Sequence, residues 1–103
     1  MRTIDKAQSF FEFISSREPS LVLFVTRDCA VCASLEKKLL RSLDGERMAK
    51  LYLDDLEELK GETGIFSVPA VVVYISSKEY ARFVGVFSAE EVVKRYYRLK
   101  ELV

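Results

Sequence analysis

Leu21-Val22-Leu23-Phe24-Val25 is five consecutive apolar residues with no polar position among them. A surface helix or a half-exposed strand would break such a run with periodic polar residues; a short, unbroken, β-rich run is a strand covered on both faces. A strand of that kind needs helices on either side of its sheet, so the run points to an α/β architecture.

The flanking patterns supply those helices. Ala7, Phe10, Phe11, Phe13 and Ile14 repeat at helical spacing over roughly residues 6–17, with Asp5 as the expected cap and Pro19 as the stop. A second helix is expected from Ala30 to about Leu43, stepping Val31, Leu35, Leu39 and Leu43 along one face and leaving Glu36, Lys37, Lys38 and Arg41 on the wet side. Met48–Leu53 reads as a strand, and Asp54-Asp55 opens a shorter helix that ends before Gly64. Ala70–Ile75 and Tyr80–Val84 form an antiparallel hairpin through the polar turn Ser76–Glu79. Ser88 with Glu91 three residues on is a capping box for a last helix carrying Val92, Val93, Tyr96, Tyr97 and Leu99. Phe10, Phe11, Phe13, Phe24 and Phe83 are expected in the core. With 103 residues, half of them hydrophobic, one domain over residues 1–103 is the expectation.

Charge excludes some partners. Sixteen basic residues balance sixteen acidic ones and neither sign forms a block, so neither nucleic acid nor an anionic membrane is an expected partner. The apolar runs near 21–25 and 68–75 are far shorter than the ~20 residues of a membrane span. Residues 1–13 carry scattered charges and no apolar core of a signal peptide, which points to the cytoplasm.

Cys29 and Cys32 are the only cysteines, and they follow the apolar run at once, at a strand-to-helix junction. In a reducing compartment a purely structural disulfide is disfavoured, leaving a cycling or metal-binding pair. Histidine is absent, so Cys–His nucleophilic catalysis and His-ligated zinc lose their usual residue. Two thiolates cannot complete a four-ligand site within one chain without carboxylates, so no metal is expected unless two chains share it. A C-x-x-C beside a βαβ-like pattern is, by contrast, a redox motif.

These features together resemble the thioredoxin family over nearly the whole chain. An apolar strand feeds the Cys29–Cys32 pair; Lys50-Leu51-Tyr52-Leu53-Asp54 is similar to the family's next core strand; Val68-Pro69 resembles its Ile/Val–cis-Pro element; and Phe83-Val84-Gly85-Val86 resembles its glycine near the redox site. The resemblance implies a thioredoxin fold with a central mixed sheet flanked by helices. Only Arg2-Thr3-Ile4 precede the first helix, so the first strand is expected to be short or missing and the sheet four-stranded.

It also implies a thiol–disulfide oxidoreductase, with no cofactor beyond a redox-active Cys29–Cys32 disulfide. Cys29 would be the nucleophile and Cys32 the resolving thiol. Protein disulfides would be the substrates, an upstream reductase the partner and a monomer the working form. Val68, Pro69 and Gly85 would bind substrate, with Pro69 leaving the backbone of Val68 free for strand addition. A non-catalytic binding or redox-sensing module of the same fold is the alternative, as is a glutaredoxin-like reductase, since Ser67-Val68-Pro69 resembles that branch's Thr-Val-Pro. Against the latter, Gly85 is followed by Val86 and Phe87 rather than by a glycine and an acidic cap.

Only the thiolate is nucleophilic, and a helix N-terminus favours it by about 0.3–1 kcal/mol, less than one pKa unit. A hydrogen bond from Cys32 is therefore expected to contribute. Arg27 should favour the Cys29 anion and Asp28 oppose it, roughly cancelling. Asp28 stands where the family commonly has tryptophan, Ala30-Val31 replaces Gly-Pro, and the family's buried acid, six positions before the first cysteine, falls on Leu23. Lys50 matches the lysine that accompanies that acid; without a partner it is expected to snorkel over apolar surface, and Cys32 to lack a proton acceptor.

Overall fold

All six residues of the strand Ser20–Val25 are buried, and so are all six of Ala70–Ile75, which pairs with it antiparallel. A computed structural model describes residues 1–103 and builds the rest around this pair. In chain order the elements are β1 (Arg2–Ile4), α1 (Ala7–Ile14), β2 (Ser20–Val25), α2 (Ala30–Ser42), β3 (Met48–Tyr52), α3 (Glu58–Thr63), β4 (Ala70–Ile75), β5 (Lys78–Val84) and α4 (Ala89–Glu101). The sheet order is β1-β3-β2-β4-β5, with β1, β3 and β2 parallel, β4 antiparallel to β2, and β5 antiparallel to β4.

Because alternate strand residues point to opposite faces, the two central strands feed two separate cores. Leu21, Leu23, Val71 and Val73 meet Leu35, Leu39, Val92 and Tyr96 of α2 and α4 on one face. Val22, Phe24, Val72 and Tyr74 meet Phe10, Phe13 and Ile14 of α1 and Leu59 of α3 on the other. The sheet is five-stranded rather than four-stranded. Three residues suffice for β1 because β3 offers a free parallel edge, pairing Arg2 with Ala49 and Ile4 with Leu51, while Ile4 buries its side chain in the second core.

Local departures from the expected boundaries have identifiable causes. Lys6, not Asp5, is the N-cap of α1, and no side chain caps it. That helix stops at Ile14 because its last carbonyls are taken elsewhere: Ser15 Oγ donates to the carbonyl of Glu12 (2.7 Å), and the amides of Ser77 and Ser76 donate to those of Ile14 and Ser16 (2.9 and 2.7 Å). Ser76 and Ser77 form the hairpin turn alone, both at positive φ (52° and 68°), so β5 begins at Lys78. The helix expected from Asp54 starts only at Glu58. Phe11 is largely exposed and Phe83 only partly buried, whereas Phe10, Phe13 and Phe24 are core. The capping box is present: Glu91 N–H donates to Ser88 Oγ and Ser88 N–H to Glu91 Oε2.

Opposite the C-terminal end of β2, a polar network closes the sheet. Tyr96, 1% exposed, donates its hydroxyl to Glu46 Oε1 (3.1 Å), which also accepts from Lys100 Nζ (2.6 Å). Lys100's hydrogen bond holds the Glu46 carboxyl below its ordinary value of 4.5, against the opposing effect of burial. Burial, with Glu46 adding to it, pushes the Tyr96 phenol up to about 12.

Leu39→Ala, at a fully buried position, lowers the unfolding free energy by about 2–5 kcal/mol in urea titration. Glu46→Gln costs roughly 1–2 kcal/mol at neutral pH. Because the folded pKa of Glu46 lies below the unfolded one, its stabilisation is complete above about pH 4.5 and is lost as pH falls through the folded value. The wild-type and variant unfolding curves therefore converge in acid.

Candidate functional site

Thr26, Arg27 and Asp28 carry the chain from the C-terminal end of β2 into α2, and Cys29 is the N-cap of that helix. Its backbone is extended (φ −141°, ψ 95°), and its sulfur accepts the amide N–H of Cys32 at 3.2 Å. One unpaired amide of the helix terminus is thus satisfied by sulfur, where an oxygen is the usual cap. Cys32, one turn on, points into the core and is 2% exposed, while Cys29 is only half-buried. The two are joined in a disulfide with their Cα atoms 5.3 Å apart. No group of three or more His, Cys, Asp or Glu side chains is arranged to hold a metal ion.

Val68 and Pro69, joined by a cis peptide bond, directly precede β4, the antiparallel neighbour of β2. Both are half-buried, and Val68 and Cys29 pack against the core that holds Cys32. A cleft of about 330 Å³ beside the helix start is lined by Val31, Leu35, Lys38, Pro69, Gly85 and Phe87 among others. Gly85 has φ 87°, and a Cβ there would meet nothing within 4 Å, so the backbone conformation requires the glycine and the space does not. Phe87 stacks obliquely on Phe83 with 5.7 Å between ring centroids, whereas Phe66 and Val86 stand exposed. A larger cavity of about 880 Å³ lies at the other end of the sheet, between Arg17, Glu46, Tyr96 and Lys100. It contains no sulfur, so size does not mark the reactive place here.

The charged residues are arranged differently from the sequence expectation. Arg27 is not set against Asp28: its guanidinium pairs with Asp55 and lies 4.2 Å from the centre of the Tyr52 ring, and its amide donates to Asp54 Oδ2 (3.2 Å). The hydrogen bond to Asp55 raises the Arg27 pKa. Asp28 is exposed. Lys50, paired in register with Leu23 across β2 and β3, does not merely snorkel. Its Nζ lies 3.1 Å from both carboxylate oxygens of Glu36, with side chains 19% and 21% exposed. Burial works against the Lys50 charge, but the bonds to Glu36 and Tyr52 outweigh it and raise its pKa.

Glu36 and Tyr52, neither of them expected near the dithiol from the sequence, surround Lys50 here. Glu36 had a signal: it stands four residues after Cys32, and residues at that spacing share one helix face. Tyr52 follows Lys50 by two on β3 and packs on the same face, against the core of Cys32.

Comparison with known proteins places this geometry. No protein-family profile matches the chain. The chain is 30% identical over 99 residues to thioredoxin-like protein YdfQ of Bacillus subtilis, covering 90% of this chain and 88% of that one. It is 30% identical over 94 residues to probable thioredoxin-2 of Caenorhabditis elegans, covering 86% of this chain and 65% of the relative. Among solved structures, a mutant thioredoxin of Halobacterium salinarum superposes with a TM-score of 0.88 over 99% of this chain and 92% of its own, at 19% identity. Fasciola hepatica thioredoxin superposes at 0.82 over 95% and 98%, at 22% identity. No helix is long and apolar enough to cross a membrane. With the C-x-x-C disulfide at the start of α2 and relatives of this likeness along almost its whole length, the chain belongs to the thioredoxin family and is a thiol–disulfide oxidoreductase.

Proposed function

We propose that Cys29 is the attacking thiol and Cys32 the resolving thiol in reduction of protein disulfides in the cytoplasm, with an upstream reductase returning the pair to the dithiol. The observation that carries this assignment is the asymmetry of exposure. Cys29 is half-buried at the helix cap, where a substrate sulfur can approach, while Cys32 is 2% exposed and can reach only a partner already attached to Cys29.

The Cys29 thiolate attacks one sulfur of the substrate disulfide and the other sulfur leaves as a thiolate. Cys32 then attacks Cys29, closes the Cys29–Cys32 bond and releases the second substrate thiol. Two electrons pass to the substrate, and the reverse direction uses the same atoms. Val68, Pro69 and Gly85 border the approach: Pro69 offers neither an N–H nor a charge to the sulfurs, and the half-buried backbone at Val68 supports pairing with an extended substrate segment.

Trapping tests the assignment. Cys32→Ser accumulates a mixed disulfide with a test protein substrate, visible as an added mass that a reducing agent removes. Cys29→Ser gives no adduct, and its dithiothreitol-dependent turnover falls to the uncatalysed rate. Adducts on Cys32 in the Cys29→Ser chain would reverse the roles.

A further inference from the structure

Resolution of the mixed disulfide requires the Cys32 thiol to lose its proton first. That thiol lies among Leu23, Val25, Leu35 and Val71, and such burial disfavours the anion. The chain has no histidine to serve as a base. The residues of β2 and β4 on this face are apolar and β3 adds the cation Lys50 and the phenol of Tyr52, so a carboxylate has to come from another element.

Glu36 is placed for the task. It follows Cys32 by four residues on α2, where Cβ atoms are about 5–6 Å apart, a gap a glutamate side chain spans directly or through one water. Its carboxylate is held at the sheet instead of in solvent, each oxygen 3.1 Å from Lys50 Nζ. Lys50 extends from the strand position beside Leu23 and lies 5.4 Å from the Tyr52 ring centre, and Tyr52 packs against the core that includes Cys32. Arg27, also against the Tyr52 ring, is occupied by Asp55 and leaves Lys50 as the cation that holds Glu36.

We propose that Glu36 is the base that accepts the Cys32 proton during resolution, and that Lys50 is the residue that positions its carboxylate. This rests on the roles proposed above for the two cysteines. The proton of Cys32 passes to Glu36. The freed electron pair of Cys32 Sγ forms the bond to Cys29 Sγ as the bond from Cys29 to the substrate sulfur breaks. That sulfur leaves with the electron pair and is reprotonated by Glu36 or by water. The acid of this chain thus stands on the helix, one turn beyond the thiol it serves.

Stopped-flow reaction of the reduced chain with excess 5,5′-dithiobis(2-nitrobenzoate) separates the two steps. The first release of coloured thiolate reports attack by the forward cysteine and speeds up with reagent concentration. The second reports resolution and reaches a plateau. Glu36→Gln lowers the plateau about 10²-fold at neutral pH and leaves the first release unchanged. Glu36→Asp recovers much of the loss.

The pH profile separates proton transfer from a structural effect. Near neutral pH the wild-type plateau rate does not follow hydroxide concentration, because Glu36 takes the proton, and Lys50→Met lowers that rate by releasing the carboxylate from the sheet. In Glu36→Gln the plateau rate rises in proportion to hydroxide. A plateau unchanged by Glu36→Gln, or an equal slowing of both releases, overturns the proposal while the cysteine roles stand. A rapid first release that survives Cys29→Ser overturns the cysteine roles, and the proposal with them.

Discussion

The complete burial of β2 governs where everything else in this molecule goes. The strand pairs on both edges, with β3 and β4, and both of its faces are covered by helices. Each Leu, Val or Phe so buried is worth about 1.5–3 kcal/mol, against about 0.3–1 kcal/mol for a charge at an exposed helix terminus. Packing therefore fixes the position of the dithiol, and the electrostatics of the helix start only adjust its chemistry. The chain leaves the core at Val25, turns through three residues and starts α2 with Cys29 as its cap, while Leu35 and Leu39 anchor the same helix to the sheet. Cys32 belongs to that anchored face, which is why the two sulfurs differ so sharply in exposure.

Two ion pairs flank Tyr52, and they differ in kind. Arg27 and Asp55 are both well exposed, in the class of surface pairs that contribute about 0–1 kcal/mol and weaken with salt. Lys50 and Glu36 are mostly shielded, so their attraction is screened less and their geometry is held. The arrangement divides the labour: the outer pair ties the β2–α2 loop to the segment after β3, and the inner pair keeps a carboxylate close to the buried end of the redox helix.

Much of this was legible from the residues alone. The unbroken run at 21–25, the helical steps of Leu35 and Leu39, and the Ser88–Glu91 box each express one local rule that tertiary structure had no reason to override. Cys29 and Val68 both pack against the core that holds Cys32, and Pro69 follows Val68 through a cis bond. What was not legible depended on contacts between distant segments. β1 exists because β3 has an edge to offer, which a three-residue segment cannot announce. The early end of α1 comes from amides of Ser76 and Ser77, more than sixty residues away along the chain. Glu36 counted as solvated because its neighbours Lys37 and Lys38 are; its spacing from Cys32 puts it on the thiol's helix face, and the strand position of Lys50 supplies the cation that holds its carboxylate there.

Thiol–disulfide exchange at this site needs a sulfur at the start of α2 that ionises readily, and the amide of Cys32 at the helix terminus donates to it. The most direct measurement is the pH dependence of Cys29 alkylation in the reduced chain, followed by mass after digestion. A Cys29 pKa clearly below the ~8.5 of a free thiol is the predicted result. A Cys29 that ionises only at or above that value would contradict the account.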